Sequence, residues 1–457
     1  MQGQEKKSNQ YHDQTYVVRF FYVFRLCLVL AFSLSTCFIF LIKTPLAADL
    51  NLQDLIDEAL RNNPEIHASQ WKLSASRFRI SQVQSLPDPM FMFGYQNEGT
   101  KSLYTFGNEM APDSQWMFSV SQMLPFPGKL SLKAEMATRD FESLQARHES
   151  LKLRIISKVK ELYFSLFLAY KNIELIDEQK ALFSKIEDTA MSRYKTGAGS
   201  LQDLLMAQIE KYMLLEKKEM LLQRIQSIEA MLIYILGRDV NTLIGKPLIS
   251  GATSFNYELN QLLEIASANS PSVSAIEKML AGSHVRMEMS HKEYYPDFTL
   301  TASYFARSKL FPDMWSVATT VNIPLFYKTK QQQAVNESMA MVREAENELQ
   351  ATKLMIYSSI RDSYSMLKTS ERLMELYKSG IIPRLHQDVE LSIAAYTAGK
   401  SDVQAVLSKI KNIIDVEILY WSQFVEREKA IAKLEELIAY KIPASHHAER
   451  SEEGKRQ

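Results

Sequence analysis

Gln115-Trp116-Met117-Phe118-Ser119-Val120-Ser121-Gln122-Met123 runs into Leu124-Pro125-Phe126-Pro127-Gly128-Lys129, and the hydrophobic period changes across those prolines. Before them, Trp116, Phe118 and Val120 oppose Met117, Ser119 and Ser121, the two-residue alternation of a strand with one apolar face. After them come 66 residues, Lys129 to Tyr194, with neither Pro nor Gly. Leu151, Ile155, Val159, Leu162, Leu166, Tyr170, Ile173 and Ile176 recur there at steps of three and four, which marks one face of a helix. At 1.5 Å per residue such a helix is about 100 Å long, several times the width of an ordinary core.

The same change of period occurs a second time. Leu55, Ala59, Pro64 and Pro89 reappear as Leu262, Ala266, Pro271 and Pro296; Trp116, Pro125 and Lys129 as Trp315, Pro324 and Lys328; Gly197, Gln202 and Leu205 as Gly399, Gln404 and Leu407. A period near 200 residues is too long for a solenoid, so the chain reads as two copies of one unit, 49–250 and 251–443. Each copy opens with a short amphipathic segment, breaks at Pro64 or Pro271, and continues as a helix of about 20 residues. A β-hairpin follows, about 90–123 in the first copy and 297–323 in the second. In the first, Phe91, Phe93 and Tyr95 share a face, as do Trp116, Phe118 and Val120. In the second, the apolar face carries Phe298, Leu300 and Tyr304, then Trp315, Val317 and Val321. Helical hairpins then span 129–237 and 330–440, Lys330 to Tyr396 repeating the uninterrupted pattern of the first. Their tips, 196–203 and 397–405, carry Gly for the left-handed turn. Ser200 with Asp203, and Ser401 with Gln404, are expected to cap the return helices.

Composition narrows the function. The 457 residues balance 53 Lys+Arg against 53 Asp+Glu, so there is no basic excess for nucleic acid, and 46% hydrophobic residues exclude disorder. Both cysteines, Cys27 and Cys37, lie in the one long apolar run, Leu26 to Ile42, preceded by Arg19 and Arg25 and followed by Pro45-Leu46-Ala47-Ala48. Residues 1–48 therefore read as a signal peptide; a retained anchor and lipidation at Cys37 are the alternatives, Leu34-Ser35-Thr36-Cys37 being a poor lipidation box. Without them the chain keeps 48 basic and 51 acidic residues and no thiol, which excludes disulfides and thiolate metal sites. Residues 444–457 read as a polar, disordered tail. Four strands with one apolar and one polar face in an exported chain point to a membrane barrel. Four cannot close one, and lipid does not tolerate an open sheet edge, so the barrel has to be shared between subunits. The fold class is mostly α with a membrane β part, the long helices forming a coiled-coil cylinder whose stripes are buried between subunits.

Enzyme chemistry has no foothold: there is no Gly-rich phosphate loop, nucleophile elbow or His-Glu-x-x-His, and no cofactor is expected. His284, Met287, Met289 and His291 have soft-metal ligand types, but His284 and His291 facing solvent on an amphipathic helix is the better account and nothing else closes the site, so no metal site is assigned. The rival class is a periplasmic coiled-coil adaptor without a pore, which would have one helical hairpin per chain rather than two.

Asn51-Leu52-Gln53-Asp54-Leu55 through Ala59-Leu60-Arg61-Asn62-Asn63-Pro64-Glu65-Ile66 resembles the opening motif of the TolC-like outer-membrane efflux proteins. Leu86-Pro87-Asp88-Pro89, Gln122 to Lys129 and Tyr194-Lys195-Thr196-Gly197 continue the resemblance. It implies a homotrimer with a twelve-stranded barrel and a periplasmic helical tunnel, docked to a periplasmic adaptor and an inner-membrane pump, with substrate leaving passively. It also implies that the tips, Gly197, Ala198, Gly199, Ser200 and Asp203 with Gly399, Lys400, Ser401 and Asp402, meet the adaptor and form the aperture. Some members place an acidic residue six positions after each tip glycine; Asp203 fits, Ala405 departs, and Asp402 is the nearby substitute. Pro125-Phe126-Pro127-Gly128-Lys129 is similar to the heavy-metal branch, which implies copper- or silver-like cations; drugs remain the other substrate class.

Overall fold

The computed structural model describes residues 50–97, 114–248 and 251–441. The expected signal peptide, residues 98–113 of the first strand loop and the expected tail lie outside the described residues. Helices α1 (Leu52–Asn62) and α2 (Pro64–Gln84) lead into β1 (Met90–Gln96) and β2 (Gln115–Leu124), then α3 (Lys129–Lys195) and its return α4 (Leu201–Leu236). The order then recurs: α5 (Leu259–Asn269), α6 (Pro271–Lys292), β3 (Phe298–Arg307), β4 (Met314–Val321), α7 (Gln331–Glu375), a π-helical segment (Leu376–Ile381), α8 (Ile382–Thr397) and α9 (Val403–Ile438). Asn63 shows how the sequence sets such boundaries: its side chain accepts from the backbone N–H of Glu65 and Ile66, and Pro64 takes the first helical position.

The four strands form one antiparallel sheet in chain order. Its register puts Phe91 opposite Val120, Phe93 opposite Phe118 and Tyr95 opposite Trp116. Phe118 pairs onward with Tyr304, and Tyr304 with Trp315; Leu124 pairs with Phe298, and Phe298 with Val321. All twelve expected apolar-face residues therefore share one face, since opposed residues point the same way. Most are solvent-exposed in the single chain, Trp315 at 78% and Phe91 at 68%. Trp116 differs: it is 9% exposed, stacked on Phe93 and tilted against Tyr95. Ser119 and Ser303 meet on the opposite face, their hydroxyls 2.7 Å apart.

Below the sheet the long helices depart from expectation in two ways. The second is not continuous, because Lys330 to Tyr396 includes Gly380 and Pro383. Pro383 has no N–H to donate, and the ladder widens to a π-helical turn just before it. Even so, α7, the π segment and α8 together run from Gln331 to Thr397, the same 67 residues as α3. The second departure concerns the stripe. Ile155, Val159, Leu162 and Leu166 are buried within the chain, in a cluster that also takes Leu55 and Ala59 of α1, Leu232 and Leu236 of α4, and Phe424 and Val425 of α9. Those positions are buried within a single chain, whereas the stripe was expected to be buried between subunits. Among the described residues no helix is long and apolar enough to cross a membrane.

Where sheet meets helices, the ammonium of Lys129, only 3% exposed, donates to Asp297 at 2.9 Å and to the Tyr295 carbonyl at 3.1 Å. Phe126 N–H donates to the same carboxylate, and its ring stacks on Tyr295. This knot fastens the first half of the chain to the second.

Candidate functional site

The two helical hairpins end side by side. At the first tip, Gly197 has φ +74°, and the N–H groups of Ala198 and Gly199 donate to the Arg193 carbonyl at 2.8 and 3.0 Å. Ser200 then caps α4, its hydroxyl accepting from Asp203 N–H at 3.1 Å. The second tip repeats the turn: Gly399 has φ +74° and Lys400 N–H donates to the Ala395 carbonyl at 2.8 Å. Its cap is not the expected one. Asp402, not Ser401, accepts from Ala405 N–H at 2.6 Å, and α9 starts at Val403. Asp402 is the better acceptor for a helix N-terminus because it also places negative charge on the dipole. Asp402 therefore caps α9, and Asp203 likewise lies in the first turn of α4.

Two residues that the sequence reading passed over join these tips. One guanidinium nitrogen of Arg193 donates to the Tyr396 carbonyl at 2.5 Å and the other to the Ala198 carbonyl at 3.2 Å. The same guanidinium lies 5.0 Å from the centre of the Tyr396 ring, which is 1% exposed. Burial pushes the Tyr396 hydroxyl above its usual range, and the Asp203 charge adds to that rise while Arg193 opposes it. The signal was available in part, since a Tyr stands three residues before each tip glycine. Arg193 has Ala395 as its counterpart, and Tyr194, the counterpart of Tyr396, is 45% exposed. Behind the turns, Ala190, Leu204, Ala207, Val403, Val406 and Leu407 are buried. Gly197, Ala198, Ser200, Gly399, Lys400 and Asp402 are exposed, a small polar surface on a stiff support.

His284 and His291 are exposed on α6, and among the described residues no three His, Cys, Asp or Glu side chains come together as a metal site.

Residues 55–238, α1 through the end of α4, match the sequence profile of the outer membrane efflux protein family. Over that stretch the chain is similar to the family. Across most of its length it is 18% identical to the cobalt-zinc-cadmium resistance protein CzcC of Cupriavidus metallidurans, covering 86% of this chain and 90% of the relative. The nickel-cobalt-cadmium resistance protein NccC of Alcaligenes xylosoxydans is 21% identical over 70% of each chain. Among solved structures, CusC, described for its folding and transmembrane channel formation, superposes with a TM-score of 0.73 at 16% identity, over 86% of this chain and 93% of that one. The fold is shared with the solved outer-membrane channels OprN and CusC. The pairing of strands with two helical hairpins in each chain argues against the adaptor alternative.

Proposed function

We propose that this chain is the outer-membrane exit duct of a three-part efflux system, working as a homotrimer whose subunits contribute four strands each to a twelve-stranded barrel. The observation that carries this is the sheet register: one continuous aromatic and aliphatic face, backed by a polar face of Ser119, Ser303 and Thr301, over helices about 100 Å long. The apolar face meets lipid and the polar face lines the pore. The helices carry the duct across the periplasm to the tips, where the exposed turns at Gly197 to Asp203 and Gly399 to Asp402 meet a periplasmic adaptor, itself bound to an inner-membrane pump. Transport is passive in this chain, which selects by aperture and charge rather than by a binding pocket. For substrate, the names of the two relatives favour divalent heavy-metal cations of the cobalt, zinc, cadmium and nickel class over the copper- and silver-like ions or drugs.

Cell fractionation with heat-modifiable gel mobility tests the reading. The protein is expected in the outer-membrane fraction as an oligomer that heating converts to a slower or monomeric band. A soluble or inner-membrane location, or a monomer in mild detergent, contradicts it. For the substrate, deletion of the gene is expected to sensitise cells to cobalt, zinc or cadmium, and unchanged tolerance to all of them removes that assignment.

A further inference from the structure

At the end of α6, beside the knot that joins sheet to helices, Lys292 stands without an anion. Its ammonium lies over two rings, 5.8 Å from the centre of Phe126 and 5.6 Å from that of Tyr295, which stack 4.5 Å apart. An ammonium has three donors, and among the described residues no acceptor takes one from Lys292. The neighbouring Lys129 differs, because Asp297 and the Tyr295 carbonyl take up its charge, with Glu293 3.6 Å away. Glu288 stands four residues before Lys292 on α6, the order and spacing that favour a helical ion pair, yet the two do not pair. Glu288 is exposed and, among the described residues, also has no hydrogen-bond or ion-pair partner. Both line one open hollow of about 630 Å³, together with Ser131 and Leu132 of α3 and with Tyr294 and Tyr295. A positive and a negative group thus share a cavity, one helical turn apart, without neutralising each other.

The place of the hollow limits what can enter it. Leu124 ends β2 on the apolar face, opposite Phe298, and Phe126 follows two residues later. On the other side the Tyr294 ring lies 6.4 Å from that of Tyr327, which follows the exposed Leu325 and Phe326, the latter 77% exposed. Aromatic rings and lysines at the end of an apolar strand face mark the level of lipid headgroups. The seat belongs to one half of the chain only. The positions 207 residues before Lys292 and Tyr295 are Ser85 and Asp88, so the duplicated fold does not require it.

We propose that the hollow holds the headgroup of a zwitterionic aminophospholipid, one that carries a phosphate and a primary ammonium. The Lys292 ammonium donates to the phosphate, the Glu288 carboxylate accepts from the headgroup ammonium, and the acyl chains run along the apolar face from Leu124. This rests on the membrane reading of the sheet and names the lipid at its periplasmic rim. An anionic headgroup satisfies Lys292 but sets its excess charge against Glu288, and a choline headgroup has no N–H to donate.

Native mass spectrometry of the full-length oligomer in neutral detergent, titrated with phosphatidylethanolamine, phosphatidylglycerol or phosphatidylcholine, tests the assignment. The parent is expected to bind one phosphatidylethanolamine per subunit in preference to the other two. Lys292→Gln should weaken that binding about fivefold, Lys292→Arg should keep it, and Glu288→Gln should abolish the preference over phosphatidylglycerol. Equal binding of the three lipids by the parent, parent-like binding by Lys292→Gln, or an unchanged preference in Glu288→Gln overturns the proposal. Displacement by soluble glycerophosphoethanolamine at the same concentration also overturns it, because the free headgroup and not the lipid is then the ligand. Glu288 is exposed and unpaired, so its variant decides the matter even where Lys292→Gln lowers the yield of oligomer. An outer-membrane oligomer without the lipid preference fails this proposal alone; a soluble protein fails the membrane reading beneath it.

Discussion

Arg193 does more at the tip than any residue chosen from the sequence. Its guanidinium spans both turns, donating to carbonyls on each and covering the Tyr396 ring. Charge-assisted hydrogen bonds and a partly desolvated cation–π contact each contribute on the order of 1–2 kcal/mol, so Arg193→Ala is expected to loosen the two hairpin ends without unfolding the helices. Hydrogen exchange at Gly197 to Ser200 and Gly399 to Ser401 should quicken at least tenfold, and unchanged exchange contradicts the clamp. Tyr396→Phe is expected to leave it intact, because the tyrosine hydroxyl has no hydrogen-bond partner among the described residues. The helix cap gives a sharper contrast. Asp402→Ala should lower stability by about 1 kcal/mol while Ser401→Ala changes little, measured by thermal unfolding. Equal effects would mean that α9 is not capped as described. Both tip glycines were legible in the sequence because φ near +74° favours Gly, but the cap was misplaced by one residue because Ser401 and Asp402 are adjacent and both are good acceptors.

At the scale of elements, periodicity was the reliable guide. Alternation around Phe118 and Phe298 located all four strands, and the absence of Pro and Gly after Lys129 located the 67-residue helix. What periodicity does not carry is the identity of the neighbour: the Ile155 to Leu166 stripe reads the same whether it packs within a subunit or between subunits. The π segment was marked by Gly380 and Pro383, although how a helix absorbs a proline depends on the packing around it. Lys129, read only as part of a motif, holds the halves together through Asp297. Removing one partner of a buried ion pair costs about 3–5 kcal/mol, so Lys129→Met is expected to reduce the temperature at which the oligomer dissociates, and a variant as heat-resistant as the parent would count against the knot. Helix α1 is joined to the end of α4 by a two-bonded pair, Arg238 with Glu58 at 2.6 and 2.7 Å. The Arg238 hydrogen bonds hold the Glu58 carboxyl below its ordinary range, ahead of the opposing effect of burial. A lowered folded-state pKa gives stability that is present above the unfolded carboxylate's value near pH 4 and is lost as pH falls through the folded one. The stability difference between parent and Glu58→Gln should therefore shrink below about pH 4; a difference that grows there would contradict the sign.

For the whole molecule, sequence and structure agree most closely where physics leaves fewest choices. A strand in lipid must pair on both edges, so four strands with one apolar face already required other copies of the chain. The shared apolar face of the sheet was readable to the residue, Trp116 differing in that its ring is covered by Phe93 and Tyr95. Cargo was the least legible property, because a passive duct of the kind proposed has no binding constellation to read, and the proposed metal class rests on the names of two relatives. Conductance is the direct test of a pore. Purified protein in planar lipid bilayers is predicted to insert and conduct ions, with Arg193→Ala giving a larger single-channel conductance than the parent. Oligomeric protein that inserts yet conducts nothing, with the tip clamp intact or removed, would contradict the account.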